Sequence, residues 1–263
     1  MRLLTFVTTF TLLAITVTAN AQTVAPLRVL ASNGMKAVID ELQPRLEREL
    51  GRPLTIQFNT STAIRQSIEG GDAFDVTILT SEVLSELAKG GRIVPSSVQD
   101  LGRSGIGFGV KSGAPKPDVR TPEAAKKSLL DAKSLTWVSG GASRAHIDRM
   151  LDALGIASDV KSKTVLTRAV DESVALVAEG KNEMILSLTS EVLPAKGIEY
   201  VGPLPANFQN YVSFEAGVNP KASAPAAAAL FIKLLVAPAV AAAYKAKGME
   251  PQSQSRVPPR PIK

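Results

Sequence analysis

The single histidine of the 263-residue chain, His146, stands in WVSGGASRAHIDRM (137–150), directly after a glycine pair and a Ser-Arg. A strand that ends in glycines and opens a helix with Ser143 and Arg144 presents free N–H groups where the helix dipole favours negative charge. A guanidinium at that end opposes the dipole and calls for a counter-anion. Three further loops share this character: ASNGM (31–35) with Ser32 and Asn33, NTST (59–62) with Ser61 and Thr62, and SLTS (187–190) with Ser187; the loop before His146 adds Ser139 and Gly141. Each of these residues alone also reads as an ordinary N-cap or turn residue, and His146 alone as a surface imidazole. Four such loops, each following a strand, place them where open α/β sheets bind ligands and describe an oxyanion pocket.

The elements that would hold these loops follow from the apolar pattern. Short apolar strands at 27–31, 54–58 and 75–79 alternate with amphipathic helices beginning at 35, 63 and 82. A glycine-rich strand at 105–110 leads to a second set: helix 122–132, strand 135–138, helix 144–154, strand 163–166, helix 170–178 and strand 184–188. An extended return at 211–218 and two alanine-rich helices, 224–236 and 238–247, follow. The alternation predicts an α/β fold with mainly parallel sheets.

Residues 1–21 carry an early Arg2, an apolar run and Ala19-Asn20-Ala21, the pattern of a secretion signal cleaved near Ala21. A periplasmic location is expected, and the basic, proline-rich end (251–263) reads as an extended tail. No cysteine is present, which removes disulfides, thiolate nucleophiles and thiolate metal ligands. One histidine argues against a multi-histidine zinc site. No cofactor is expected, since no phosphate-cradling Gly-rich Lys loop occurs. The chain has net charge +6, or +5 once Arg2 is removed with the signal (6 − 1). Its Lys and Arg are scattered among acids, which fits a small anion and argues against nucleic acid.

The quoted loops, together with STAIRQSIEGGDAFDVTILTSEVLSELAKGG, GVKSGAPKPD, VALVAEGKNEMIL and VGPLP, resemble the molybdate-binding periplasmic proteins of ABC importers, in order and over nearly the whole mature chain. The resemblance implies a type II periplasmic binding protein fold: two α/β lobes joined by two crossing strands, with the ligand between them. The crossings would be 105–110 and 211–218, with lobe 1 made of 22–104 plus 213–250 and lobe 2 of 105–212. A monomer is expected, with an ABC permease as partner if the chain serves an importer.

The ligand loops depart from the molybdate pattern. Ser61 and Thr62 stand at the usual serine pair, but the fourth loop has no tyrosine and the third reads SGGASR. Arg65, Arg144 and Arg168 add planar forks that suit carboxylates. That third loop is similar to an enzymatic branch of the superfamily, the aconitate isomerases. Allylic proton transfer there needs a base, an acid and donors for the spreading charge. His146 has the pKa for both proton roles, although two residues beyond Arg144 it points sideways. Tyr211 and Glu215 are secondary candidates. Three readings stay open: trans/cis-aconitate isomerase, molybdate or tungstate receptor of an importer, and a polycarboxylate receptor without turnover.

Overall fold

The computed structural model describes residues 24–252, so the expected signal and all but the first two residues of the expected tail lie outside the described residues. In chain order the elements are β1 (Leu27–Ser32), α1 (Lys36–Leu50), β2 (Leu54–Asn59), α2 (Ser61–Glu69), β3 (Val76–Thr80), α3 (Ser81–Lys89), β4 (Gln99–Ser104) and β5 (Ile106–Lys111). Next come α4 (Pro122–Asp131), β6 (Leu135–Val138), α5 (Arg144–Ala153), α6 (Ala157–Lys161), β7 (Thr164–Thr167), α7 (Val170–Ala178), β8 (Met184–Leu188) and α8 (Thr189–Val192). The chain closes with β9 (Ile198–Pro203), β10 (Val212–Val218), α9 (Pro225–Leu235), α10 (Ala241–Ala246) and β11 (Met249–Pro251). Short 3-10 turns precede α1, β4 and α10.

The strands form two sheets, β11-β4-β10-β3-β1-β2 and β7-β6-β8-β5-β9. β3 and β8 are buried at every position, as expected of interior strands covered on both faces. β1 runs parallel to β2, with Leu27 opposite Leu54, and parallel to β3, with Val29 opposite Val76. α1 buries Val38, Ile39, Leu42 and Leu46, one face at helical spacing, and stops at Gly51 in the left-handed conformation (φ 61°). Asp75 fastens the first sheet to the segment after β10. Its buried carboxylate accepts from the N–H of Arg28 (2.9 Å) and from the N–H and hydroxyl of Ser223 (2.7 and 2.8 Å).

The sheets exchange chain twice, at or just before the starts of the two expected crossing segments. The segment 105–110 is almost entirely β5, a central strand of the second sheet, and 211–218 is β10, a central strand of the first. The crossings are the single residue Gly105, between β4 and β5, and the segment 204–211, between β9 and β10. The Gln209 carboxamide clamps them together, accepting from the N–H of Ile106 and donating to its carbonyl, both at 2.9 Å. α8 hangs from the same hinge: the Thr189 N–H donates to the Gly105 carbonyl (2.8 Å) and the Ser190 N–H to the Ser104 hydroxyl (3.1 Å). One apolar cluster, including Phe108, Phe214 and Tyr244, continues from sheet to sheet behind this hinge.

Candidate functional site

Four helix starts and the short α8 meet between the two sheets. The 3-10 turn leading into α1 contributes Ser32 and Asn33, α2 contributes Thr60 and Ser61, the loop into α5 contributes Gly141 and Ala142, α7 contributes Val170, and α8 contributes Leu188 and Glu191. These residues and Val138 enclose an inner pocket with a cavity volume of about 10 Å³, room for roughly one water-sized sphere. Converging helix N-termini supply unpaired N–H groups and positive potential, which together favour an anion. Thr60 is the true cap of α2, its hydroxyl accepting from Ala63 N–H at 3.2 Å. Ser61 is thereby released from capping. Its buried hydroxyl accepts from Thr80 N–H (3.1 Å), which leaves its own proton for a ligand.

Glu191 sets this pocket apart from a simple anion cradle. Burial pushes its carboxyl up to about 7, against the Ser187 hydroxyl and Leu188 N–H that hydrogen-bond it and pull the other way, while Asp171 adds to the rise. The residue is half-buried and lines the inner pocket. Sequence reading passed over it. The available signal was an acid two residues after Thr189 in the SLTSEV loop; its burial was not visible.

An outer chamber of about 440 Å³ shares Ser61, Gly141 and Ala142 with the inner pocket. Thr62, Thr80 and Glu82 line it from the first sheet's side, Gly140, His146 and Arg149 from the second, and Asn210 and Tyr211 from the crossing segment. His146 therefore reaches the cleft despite its sideways position. Its Nδ1 meets Asn210 Nδ2 at 2.9 Å and the Arg149 guanidinium. Burial and then the positive Arg149 lower its pKa, partly opposed by Glu82. The Tyr211 ring carries the Arg103 guanidinium 4.2 Å from its centroid, and Arg103 pairs with Glu250 at 2.7 Å.

The expected arginine cluster is not brought together. Arg65 pairs with Glu86 and lies 3.9 Å from Glu69. Arg144 makes a two-oxygen contact with Asp148 (2.8 and 2.7 Å) beside a separate hollow lined by Trp137 and Leu151. Arg168 is exposed on a surface depression beyond β7, its N–H donating to Glu172. Arg65 and Arg144 each have an acid four residues onward, the spacing that pairs along a helix. Arg149 has Ala153 there and faces the chamber. Ser139 donates to the Thr167 carbonyl (3.0 Å) and ties β6 to β7. Ser143 is buried, its carbonyl serving the first turn of α5. Ser187 reaches the pocket only through Glu191. Glu215 lies within β10, opposite Leu79 of β3 and Asp100 of β4, where burial raises its pKa against a hydrogen bond from Ser81, with Asp100 adding to the rise. No cluster of three or more His, Asp or Glu suited to a metal occurs among the described residues.

Comparison with known proteins agrees with this architecture. The chain is 30% identical over 246 residues to an aconitate isomerase from Pseudomonas sp., covering 91% of this chain and 93% of that protein. Among solved structures it resembles the periplasmic molybdate-binding protein of Azotobacter vinelandii (TM-score 0.71, 17% identity, 85% of this chain and 98% of that one). It also resembles the sulfate-binding protein SubI of Mycobacterium tuberculosis H37Rv (TM-score 0.70, 15% identity, 88% of each chain). These neighbours establish the type II periplasmic binding protein fold, mixed α/β structure with two sheets. With residues 27–250 matching the family model, the chain belongs to the bacterial extracellular solute-binding proteins.

Proposed function

We propose that the protein is a periplasmic isomerase that interconverts trans- and cis-aconitate by allylic proton transfer in the interlobe cleft, with Glu191 as the group that takes and returns the proton. The lobes would be 22–104 plus 213–250 and 105–212. The observation that carries this reading is Glu191 itself. A pocket that only binds a dianion gains nothing from a carboxyl on its wall, because the ionised acid repels the ligand. A carboxyl poised near 7 is suited to removing a methylene proton and giving one back. In that step the C–H electrons move into the allylic unit and its conjugated carboxylate, and the proton passes to a Glu191 oxygen. It is then delivered to the far allylic carbon, leaving the double bond shifted. One ligand carboxylate would sit among Ser32, Ser61 and the helix starts. The rest would extend past Gly141 into the outer chamber toward Arg149, which requires the lobes to part for entry. The likeness to a named aconitate isomerase supports the same reaction.

The test is proton NMR of trans-aconitate in D₂O with the purified chain 22–263, wild type and Glu191→Gln. Conversion to cis-aconitate with deuterium entering the methylene, lost in the variant, is the expected result. Absence of conversion at high protein concentration would refute it. The small, hydroxyl-lined inner pocket favours a second reading, a receptor for a compact tetrahedral oxyanion that delivers it to an ABC permease. Calorimetric titration with molybdate and tungstate separates the two, the isomerase reading requiring weak binding of both.

A further inference from the structure

We propose that Asn210, in the crossing segment, is a positioning residue that holds His146 as a neutral Nε2–H donor toward an anionic ligand in the outer chamber. This deepens the isomerase reading and divides the two proton roles that the sequence assigned to one imidazole. The Asn210 carboxamide is oriented by its own backbone neighbour: Oδ1 accepts from the Tyr211 N–H at 2.8 Å, so Nδ2 is the end that faces His146 Nδ1, at 2.9 Å. The second partner of Nδ1 is an Arg149 guanidinium nitrogen, which can only donate. Two donors on one ring nitrogen require that it present its lone pair, and the ring proton of the neutral imidazole therefore sits on Nε2. Protonating Nδ1 would set N–H against N–H and a cation against Arg149.

The charged groups that bear on the ring are Arg149, on its own helix, and Glu82, from α3 across the cleft; Asn210 and Tyr211 face it uncharged from the crossing. Glu82 alone favours a charged ring, and burial together with Arg149 outweighs it. Nδ1 is thus unavailable as a base. What His146 offers is a fixed N–H donor that gains strength as negative charge spreads over the substrate's carboxylate, a role a neutral imidazole fills without giving up its proton.

Because His146 is the single histidine, its nitrogens can be read without assignment ambiguity. Long-range ¹H–¹⁵N correlation on ¹⁵N-histidine-labelled protein at pH 8 should show a protonated Nε2 and a bare Nδ1, with the Nε2 signal moving when trans-aconitate is added. In Asn210→Asp the carboxylate still accepts from Tyr211 N–H but now accepts from the ring as well, so the proton should move to Nδ1 and the ring's pKa should rise. Turnover should then fall about 100-fold in kcat with little change in KM, as for loss of one charge-stabilising donor. A wild-type ring protonated at Nδ1 overturns the proposal, a result that does not depend on the variant folding. An Asn210→Asp spectrum and kcat equal to wild type, or a change in KM alone, overturns it as well. A wild-type sample with protonated Nε2 and a trans-aconitate-induced shift but no conversion retires the isomerase reading while supporting the donor role.

Discussion

Replacing Glu191 by glutamine should make the protein more stable, and the gain should depend on pH. The folded carboxyl titrates at about 7 against an ordinary value of 4.5, a difference of about 2.5 units. At about 1.4 kcal/mol per unit this is roughly 3.5 kcal/mol, reduced to about 2–3 because the group is only half-buried. The sign follows from linkage. Between 4.5 and about 7 the folded state keeps a proton that the unfolded chain has released, so stability falls as pH rises through that window and levels off above it. Glutamine keeps the volume and an acceptor for Ser187 but does not titrate. Denaturant unfolding of both proteins from pH 4 to 8.5 should show nearly equal stabilities at pH 4 and a gap of about 2–3 kcal/mol in favour of the variant at pH 8. In a thermal melt that gap is roughly 4–12 °C for a chain of this size. A gap that does not vary with pH, or a variant less stable at pH 8, would refute the assignment of a buried, proton-holding carboxyl. The wild type then carries a stability cost at neutral pH, as the proposed proton-transfer role would require.

Other expectations follow from pairing and burial. Alanine at Arg65, Arg144 or Arg168 should leave ligand affinity within about twofold and lower stability by about 1 kcal/mol or less, since the first two side chains engage a surface acid and the exposed Arg168 bonds Glu172 through its backbone N–H, which alanine keeps; titration calorimetry and melts check this. Asp75→Ala should cost about 3 kcal/mol in denaturant unfolding by stranding the donors of Arg28 and Ser223. Burial raises the Asp75 pKa, but those hydrogen bonds and the Arg28 charge outweigh it and hold the folded value below 3.8. Its contribution is therefore present above 3.8 and fades as pH falls through the lowered value, a slope the variant should lack.

The elements that were legible in the sequence are those whose apolar spacing is uniform. β1, β3, β6 and β8 are mostly apolar runs and α2 shows one buried face, so they fell within a residue or two of their bounds, as did the start of α1. β4 (QDLGRS) escaped because Leu101 is its one large apolar residue and β9 (IEYVGP) because only Ile198 is buried; α8 and β11, at four and three residues, carry no periodicity. For the site, the four polar loops were readable, because hydroxyls at helix starts are a local pattern. Ser32, Asn33, Ser61 and Gly141 do line the inner pocket. Which cation faces the cleft was not readable from loop position. The acids at i+4 of Arg65 and Arg144, and alanine at i+4 of Arg149, were the better guide. Glu191 could not be ranked above other acids, because its perturbation comes chiefly from tertiary burial.

The order of strands in the first sheet bears on how the chain assembles. The second sheet is drawn from one unbroken run, 106–203, whereas β4 has only β10 and β11 as neighbours, and both arrive more than a hundred residues later. A growing or emerging chain can complete the second sheet while β4 waits with both edges unpaired, the condition in which strands pair with wrong partners. A sequence as polar as QDLGRS, with an acid and an arginine and one large apolar residue, is poorly suited to such mispairing. The feature that concealed β4 from hydrophobic pattern reading also keeps it silent until its proper neighbours exist.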